Sequence, residues 1–285
     1  MLYLERSDLL PKILSQIGWH KNIYYTIMKE EQKADALLKF NKGGNAKLDK
    51  DIVTFSLPSG YTCPGADTCL AKVDLKTGKI IDGPNQTFRC FSAVSELRPA
   101  VRLQRWHNLI LLKAAKTKDA MAQLISDSFP RGTKILRIHV GGDFFSQTYL
   151  DAWIEVAKKF HHCVFYAYTK SIPFVTARKN EIPSNLRITL SKGGKFDSLI
   201  DKELESMTEE EGMQYGIAEV LGHPEEALDK QLEIDHDDSH AISGRKHFAL
   251  LLHSQQPAGS GAAKKIKRMR SEKIQFSYPS KTKTS

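Results

Sequence analysis

The chain lacks the features that would place it in or across a membrane. Its 285 residues contain no apolar run close to the roughly 20 residues that span a bilayer. The opening segment, MLYLERSDLLPK, carries charged residues too early for the apolar core of a secretory signal. We therefore expect a cytoplasmic protein that does not engage a membrane.

Cysteine is scarce, and several nucleotide and metal motifs are missing. In a reducing cytoplasm, the four thiols are better suited to metal binding or catalysis than to disulfides. The phosphate loop G-x-x-x-x-G-K-[ST], the dinucleotide motif G-x-G-x-x-G and the zinc-protease motif H-E-x-x-H are all absent. Their absence weighs against P-loop ATPases, Rossmann nicotinamide enzymes and zincin proteases.

Positive charge is concentrated at the carboxyl end of the chain. The net charge is +9, and residues 264–285 hold eight basic residues and one acidic residue, a net charge of +7 that leaves +2 for the rest. Such a segment either binds nucleic-acid phosphates or serves as a solvated tail that aids solubility. We predict a basic, partly disordered tail over residues 261–285, with nucleic acid as the partner in the first case.

Strand-like and helix-like patterns alternate through the middle of the chain. Residues 135–140, 164–168 and 186–190 are strand-like apolar runs, whereas 150–157 repeats apolar residues at helical spacing. This alternation predicts an α/β fold with a parallel sheet. About six or seven strand–helix units predict a partial (β/α) barrel, and a doubly wound parallel sheet is the alternative.

The expected organisation is a helical preamble over residues 1–45, a single α/β catalytic-type domain over 46–260 and the basic tail. In either parallel architecture, reactive side chains lie at the carboxyl ends of the strands. The polar and glycine-rich motifs of this chain follow the predicted strands. They begin at Cys63, Gly141, Thr169, Ser191, Asp235 and His253. This repeated placement predicts one shared site.

Three of the four cysteines fall in predicted loops. Five residues separate Cys63 from Cys69, and twenty more precede Cys90. Turn signals in the longer insert predict a hairpin that would bring Cys69 and Cys90 together. Three thiolates suit zinc with His or water as the fourth ligand, and they suit equally a [4Fe–4S] cluster with one iron left open. We expect Cys163, at the start of a strand, to be a core or edge residue.

A glycine motif with a carboxylate, Gly141-Gly142-Asp143, follows a strand at His139-Val140. It resembles the Gly-Gly-Glu segment of radical S-adenosylmethionine enzymes, which engages the amino group of that cofactor. The order of cysteines and glycines along the chain is also the same, although that superfamily usually spaces its cysteines as C-x3-C-x2-C. The resemblance favours an iron–sulfur cluster. It implies that Gly141, Gly142 and Asp143 bind the methionine end of S-adenosylmethionine.

Nine sequence blocks spread over nearly the whole chain up to the tail carry a second, closer resemblance. They are GGNAKL (43–48), FSLPSGYTCPGADTC (55–69), RCFSA (89–93), RWHN (105–108), IHVGGDFFSQTYLDAW (138–153), FYAYTKS (165–171), HPEEA (223–227), DHDDSHA (235–241) and FALLLHSQQPAGS (248–260). Together they resemble the gene product 88 family of phages and mobile elements. The GGDFFS and YTKS blocks are also similar to those of phage radical-SAM-like proteins.

The segment 235–240 is dense in groups that bind metals or transfer protons. Its Asp and Ser residues also suit the cap of a following helix. A lysine and a histidine follow two other predicted strands and complete the substrate side of the predicted site. The candidate catalytic residues are Lys170, Asp237, Asp238, His240 and His253, with Ser191 on the cofactor side.

Three functions are consistent with these patterns. The first is a radical-SAM-like enzyme with a [4Fe–4S] cluster on Cys63, Cys69 and Cys90, which acts on an unknown substrate. The second is a hydrolase or nuclease that depends on zinc or another divalent metal, with the Asp/His segment catalytic. The third is a non-catalytic nucleic-acid-binding protein that uses the basic tail.

Overall fold

A parallel sheet forms the centre of the protein. The computed structural model describes residues 36–43, 48–205, 214–244 and 246–274. The strands are β1 (Ile52–Thr54), β2 (Ala71–Val73), β3 (Ile80–Asp82), β4 (Ile135–Ile138), β5 (Val164–Thr169), β6 (Leu186–Ser191), β7 (Gly216–Leu221), β8 (Glu233–Ile234) and β9 (His247–Leu251). Seven of these described strands pair in parallel in the order β1-β4-β5-β6-β7-β9-β8, and β2 and β3 form a separate antiparallel hairpin.

Helices connect most of the strands. They are α1 (Phe91–Ser95), α2 (Pro99–Ala115), α3 (Lys118–Ser128), α4 (Gln147–Lys159), α5 (Ile172–Thr176), α6 (Asp197–Glu205), α7 (Pro224–Asp229), α8 (Ser239–Ser243) and α9 (Gly261–Ser271). Helix α4 shows how the sequence specifies them. The Ser146 hydroxyl accepts the N–H of Tyr149 and caps the helix, while Leu150, Trp153 and Ala157 bury one stripe.

The two faces of the sheet bury different side chains. Leu136, Phe165 and Ile188 face the large core, where they pack with α4 and neighbouring helices. The alternate positions point to the other face, because successive residues of a strand project to opposite sides. There Tyr166 and Phe248 form a smaller cluster against helix α8.

The parallel register brings the carboxyl ends of the strands to one edge of the sheet. Leu136 of β4 pairs with Phe165 of β5, and Thr169 of β5 pairs with Leu190 of β6. The loops after β4, β5, β6 and β9 therefore emerge close together. This edge contains most of the motifs that the sequence predicts as one site, and the segment that begins at Asp235 is the exception.

The predicted α/β class and parallel sheet are confirmed. Within the part of the chain that the structure describes, β1 and β8 are the two edges of the sheet, and no pairing between them closes a barrel. None of the described helices has the length and apolar character needed to cross a bilayer.

The terminal segments differ from the expected organisation. Most of the predicted preamble lies outside the described residues, and the described stretch 36–43 contains no helix. The predicted tail is folded over its first part, because 261–271 form α9 and bury Ala262, Ile266 and Met269. The first eleven residues of the predicted basic, partly disordered tail thus belong to the folded part of the chain. Residues 275–285 lie outside the described chain.

Candidate functional site

A cavity of about 160 Å³ opens at the carboxyl edge of the sheet. All three predicted metal ligands line it, together with the glycine motif and residues from the ends of β5, β6 and β9. Among the lining residues are Cys63, Cys69, Cys90, Gly141, Gly142, Asp143, Lys170, Ser191 and His253. We call this space the cysteine cavity. The structure therefore brings together most of the residues that the sequence assigns to one site.

The loop with Cys63 and Cys69 is held by backbone contacts. The N–H of Gly60 donates to the Cys63 sulfur at 3.3 Å. The Thr68 hydroxyl donates to the Gly193 carbonyl at 2.9 Å, which fixes the loop against the end of β6. A Cβ at Gly65 would lie 1.9 Å from the Lys170 carbonyl oxygen, so only glycine fits there.

Cys90 reaches the same cavity from the far side of the insert. The β2–β3 hairpin returns the chain, and Cys90 is the residue that precedes α1. Arg89, the residue before Cys90, is held by the side-chain amide of Gln256. This amide accepts the Arg89 N–H at 2.6 Å and donates to the Arg89 carbonyl at 3.2 Å. The predicted return of the chain by a hairpin is therefore confirmed.

Burial dominates the electrostatics of the three thiols. Burial raises the pKa of Cys69 to about 12 and raises the pKa of Cys63 well above its ordinary value. It also raises the pKa of Cys90, but there the backbone N–H groups of Ala93 and Ser92 oppose the effect. Cys90 and Cys69 also raise the pKa of Cys63, and Cys90 raises the pKa of Cys69, in keeping with the shared cavity wall. Without a cation, all three are neutral thiols at physiological pH.

The thiols are near one another but do not form a closed ligand set. Within the described ranges, no three His, Cys, Asp or Glu side chains are arranged to hold a metal ion. The shared cavity wall and the lack of a ligand geometry are compatible, because the thiols are neutral without a metal. Only thiolates act as metal ligands, and the cation itself draws them together. Cys163 is buried at the start of β5, away from the cavity lining, as expected.

The glycine pair is required by packing within the protein. A Cβ at Gly141 would lie 2.3 Å from the Ser92 hydroxyl oxygen, and one at Gly142 would lie 2.6 Å from the Thr62 hydroxyl oxygen. Gly142 also has a φ of +85°, in the left-handed region that favours glycine. The motif thus lets the end of β4 approach both the cysteine loop and α1. Its role in shaping the cavity needs no ligand.

Asp143 is a buried carboxylate that ties β4 to β5. Its oxygens accept the Thr169 hydroxyl at 2.6 Å, the Lys170 N–H at 2.9 Å and the Phe144 N–H at 2.7 Å. Burial raises its pKa to about 6, although these hydrogen bonds oppose the shift. The cap of α4 is Ser146, so Asp143 does not serve as the helix cap.

Lys170 and Ser191 form one unit across β5 and β6. The Lys170 ammonium donates to the Ser191 hydroxyl at 2.9 Å and to the Ser191 carbonyl at 3.0 Å, and it also contacts the Lys192 carbonyl. The same ammonium lowers the pKa of Cys69 against the larger effect of burial. Lys170 is therefore a positive charge fixed beside the thiols.

The Asp/His segment lies behind the cavity and outside its lining. Asp238 pairs with Arg137 and accepts the Tyr166 hydroxyl at 3.0 Å, so it packs on the face of the sheet that carries Tyr166. Asp237 accepts the N–H of Ser239 in a turn, and His240 Nε2 lies 2.7 Å from Glu233. The predicted shared site therefore does not include Asp237, Asp238 or His240. The cavity lining includes Arg137, the ion-pair partner of Asp238.

Two histidines line the cavity in different ways. His253 follows β9, and its Nδ1 lies 3.0 Å from the Leu251 carbonyl oxygen. His139 has a φ of +66°, and burial lowers its pKa to about 3, so it is neutral at physiological pH. Its Nε2 lies 2.9 Å from the Tyr149 hydroxyl. His139 is therefore a packed residue of the cavity wall.

A buried ion pair supports the cavity and could not be anticipated from the sequence. Glu96 and Arg105 are both buried, and a carboxylate oxygen of Glu96 accepts the Arg105 guanidinium at 2.5 Å and the Ser59 N–H at 2.8 Å. Arg105 also donates to the Ser92 hydroxyl at 2.8 Å. These contacts join the Cys63 loop to α1, which follows Cys90. The only sequence signal was the RWHN block that contains Arg105.

Comparison with known proteins shows where this architecture belongs. The chain is similar to the Gene 88 protein of Mycobacterium phage D29, with 32% identity over 151 residues that cover 49% of this chain and 56% of the relative. It is similar to the Gene 88 protein of Mycobacterium phage L5, with 31% identity over 151 residues and the same two coverages. The chain thus spans about half the length of the curated relatives it matches.

No solved structure matches this chain significantly. The sequence profile described as Gene product 88 matches residues 27–272, a range that includes all three cavity cysteines, the glycine motif and the whole of α9. The chain belongs to the gene product 88 family.

Proposed function

We propose that this protein is an iron–sulfur enzyme of the radical-SAM type. The observation that carries the proposal is the presence of three cysteines and a Gly-Gly-Asp motif in the wall of one cavity at the carboxyl edge of a parallel sheet. Cys63, Cys69 and Cys90 would hold a [4Fe–4S] cluster, and S-adenosylmethionine would bind beside it. The substrate of the enzyme is a separate question.

The donor set fits such a cluster. Three thiols leave one iron without a protein ligand, and backbone N–H groups lie near the sulfurs of Cys63 and Cys90. Hydrogen bonds to cluster sulfurs are among the factors that set the cluster potential. The neighbouring Lys170 places a positive charge close to Cys69, which stabilises the thiolate form.

The residues of this chain would bind and orient the cofactor. When bound, a cluster with S-adenosylmethionine supplies one-electron radical chemistry. Asp143 would offer its carboxylate to the amino group of the methionine end, and Lys170 with Ser191 forms the adjoining part of the lining. Apolar residues from β7 and β9, including Val220 and Leu250, complete the lining and help to exclude water.

The strand order supports a partial barrel as the scaffold of this site. From β4 to β7 each strand lies beside its sequence neighbour, which is the order of a singly wound (β/α) barrel. The segment around Asp238 and α8 packs against Tyr166 on one face of the sheet. We propose that the sheet curves around this segment and that the cysteine cavity is the mouth of the partial barrel.

Anaerobic purification of the full chain tests the proposal. We expect a brown protein with a broad absorbance near ~400 nm and about four irons per chain. One zinc per chain and no colour would support a zinc site on the same cysteines and would reject the iron–sulfur assignment. Protein that carries neither metal after reconstitution with iron and sulfide would reject both.

Asp143→Asn separates cofactor binding from structure. Three of the acceptor positions on Asp143 are used internally, and the remaining capacity and the negative charge are available to the amino group of S-adenosylmethionine. We expect the variant to bind S-adenosylmethionine about ten- to a hundred-fold more weakly, because a charge-assisted hydrogen bond contributes roughly 1.5–3 kcal/mol. Calorimetric titration of the cluster-loaded proteins measures this.

Thr169→Val is the matched control for that variant. It removes the 2.6 Å hydrogen bond to Asp143 but leaves the carboxylate and its charge. We expect Thr169→Val to lower the thermal midpoint and to bind S-adenosylmethionine nearly as wild type does. An equal loss of affinity in both variants would show that Asp143 acts only through the structure.

Helix α9 supports a second candidate function, contact with nucleic acid. Lys264, Lys267 and Arg270 are exposed, and within the described chain none of them has an ion pair. We expect Lys264→Gln with Lys267→Gln to weaken binding of single-stranded DNA and to reduce the salt slope by roughly 0.7 per lost phosphate contact. Lys158→Gln with Lys159→Gln is the control of equal charge, and an equal effect there would reject α9 as the interface.

A further inference from the structure

A second cavity lies beside the cysteine cavity. It has a volume of about 540 Å³, and Phe88, Val220 and Leu252 line both spaces. This volume falls within the range of roughly 300–1,000 Å³ that is typical of small-molecule sites. None of the residues that the sequence assigns to catalysis or cofactor binding lines it. We call it the charged cavity, since lysines and carboxylates form much of its wall.

The carboxylates of the charged cavity are already engaged by donors of the chain. Both oxygens of each carboxylate have a partner within 3.2 Å. Asp197 accepts the N–H groups of Gly193 and Gly194, Glu219 lies against His247 and Lys230, and Glu226 accepts from Gly222 and Lys265. Each carboxylate is therefore held in place by groups of the protein, and the charges of Glu219 and Glu226 are balanced by Lys230 and Lys265.

The lysines retain donor capacity. A lysine ammonium carries three N–H groups. Lys230 makes one hydrogen bond to Glu219 at 2.8 Å, and Lys265 makes one to Glu226 at 2.7 Å. Lys192 lies 3.0 Å from Asp201 and 3.6 Å from Glu219. Three ammonium groups with spare donors around one space favour a ligand with several anionic oxygens.

One of these lysines is held in place by a close backbone approach. A Cβ at Gly222 would lie 2.1 Å from Cδ of Lys265, so the lysine side chain crosses directly over the end of β7. The ion pair with Glu226 fixes its ammonium group from the other side. Lys265 is therefore positioned at the cavity wall although it belongs to the basic face of α9.

We infer that the charged cavity binds a phosphate-bearing small molecule of nucleotide size. The phosphate would contact Lys192, Lys230 and Lys265, since lysine is a common point-charge partner of phosphate. The apolar part of the ligand would lie against Phe88 and Leu252, on the side shared with the cysteine cavity. This inference stands on the second cavity alone and holds whether or not the cysteines carry a metal.

Calorimetric titration of the full chain with adenosine monophosphate, adenosine, inorganic phosphate and a single-stranded oligonucleotide tests the inference. We expect adenosine monophosphate to bind at least ten-fold more tightly than either adenosine or phosphate. Adenosine that binds as tightly as its monophosphate would overturn phosphate recognition. Absence of binding by the monophosphate would overturn the site.

Two pairs of variants locate the ligand. Lys265→Gln should weaken binding of adenosine monophosphate at least ten-fold, whereas Lys267→Gln, on the same helix outside the cavity, should leave it unchanged. An added Cβ at Gly261 meets no atom within 4 Å, so Gly261→Phe should fill the cavity in a folded protein and abolish binding, and Gly261→Ala should bind as wild type. Equal affinities across these variants would overturn the assignment. So would a dependence on Lys267 alone, which would place the ligand on the outer face of α9.

Discussion

Replacement of Cys63, Cys69 or Cys90 by alanine is expected to remove nearly all of the iron from the reconstituted protein and to abolish its absorbance near ~400 nm. Each cysteine contributes one of three thiols in the cavity wall, and no fourth cysteine lines that wall to replace a lost one. Two thiolates do not retain a cluster that normally uses three or four. Iron and sulfide content per chain measures the effect.

Cys163→Ala is the control for these variants. Cys163 is buried at the start of β5, and its sulfur lies 3.7 Å from the Val164 carbonyl oxygen, away from the cavity. We expect this variant to keep the full iron content. Retention of iron in all three cavity variants would place the cluster elsewhere and would end the metal assignment of the cysteines.

The metal-free forms of the cavity variants should fold as the metal-free wild type does. Burial keeps Cys63, Cys69 and Cys90 neutral, so replacement of one thiol leaves no unpaired charge behind. Loss of iron without a change in the far-ultraviolet circular dichroism spectrum would therefore report on ligation. A loss of folded structure in the metal-free state would instead show that the thiols act through packing.

The sequence predicted the central sheet well because its signals are local. β4, β5 and β6 are strand-like runs whose ends carry glycine or polar residues, and each was located to within two residues. Parallel pairing then placed the ends of these strands at one edge, which is why the cysteine cavity was foreseeable. Closure or curvature of the sheet depends on side chains far apart in sequence and had no local signal.

The contacts inside the site were not predictable, because they join distant parts of the chain. Asp143 is satisfied by Thr169 and Lys170, more than 20 residues further along. A short motif with an aspartate does not reveal whether its oxygens face a ligand or the next strand. Asp238 illustrates the same difficulty, since its partner Arg137 lies 101 residues earlier and holds it against the sheet, outside the cysteine cavity.

The first part of the predicted tail has the apolar spacing of an amphipathic helix, although most of its residues are charged or polar. Ala262, Ile266 and Met269 are spaced as i, i+4 and i+7, the pattern of one buried helical stripe. Ser260 precedes them, and its hydroxyl accepts the Ala263 N–H as a cap. The net charge of the segment favoured a solvated tail, but charge on one face of a helix does not prevent burial of the other.

Deletion of residues 261–285 is therefore expected to destabilise the protein severely. Ile266 and Met269 are buried against Leu251 and Leu252, and burial of such side chains contributes roughly 1.5–3 kcal/mol each. The exposed ion pair between Lys265 and Glu226 adds at most about 1 kcal/mol. The loss is a large part of a typical total of about 5–15 kcal/mol. Urea denaturation of the metal-free proteins measures it.

The matched controls distinguish the buried stripe from the charge of the segment. Deletion of residues 275–285 preserves every contact of α9 described above and should leave the denaturation midpoint close to that of the full chain. In the full chain, Met269→Ala should cost about 2–5 kcal/mol, because it leaves a cavity in a packed cluster. Lys267→Ala, on the exposed face, should change the free energy of unfolding by less than about 0.5 kcal/mol. Equal midpoints for Met269→Ala and Lys267→Ala would show that α9 does not pack on the end of β9. Helix α9 would then not form a wall of the charged cavity either.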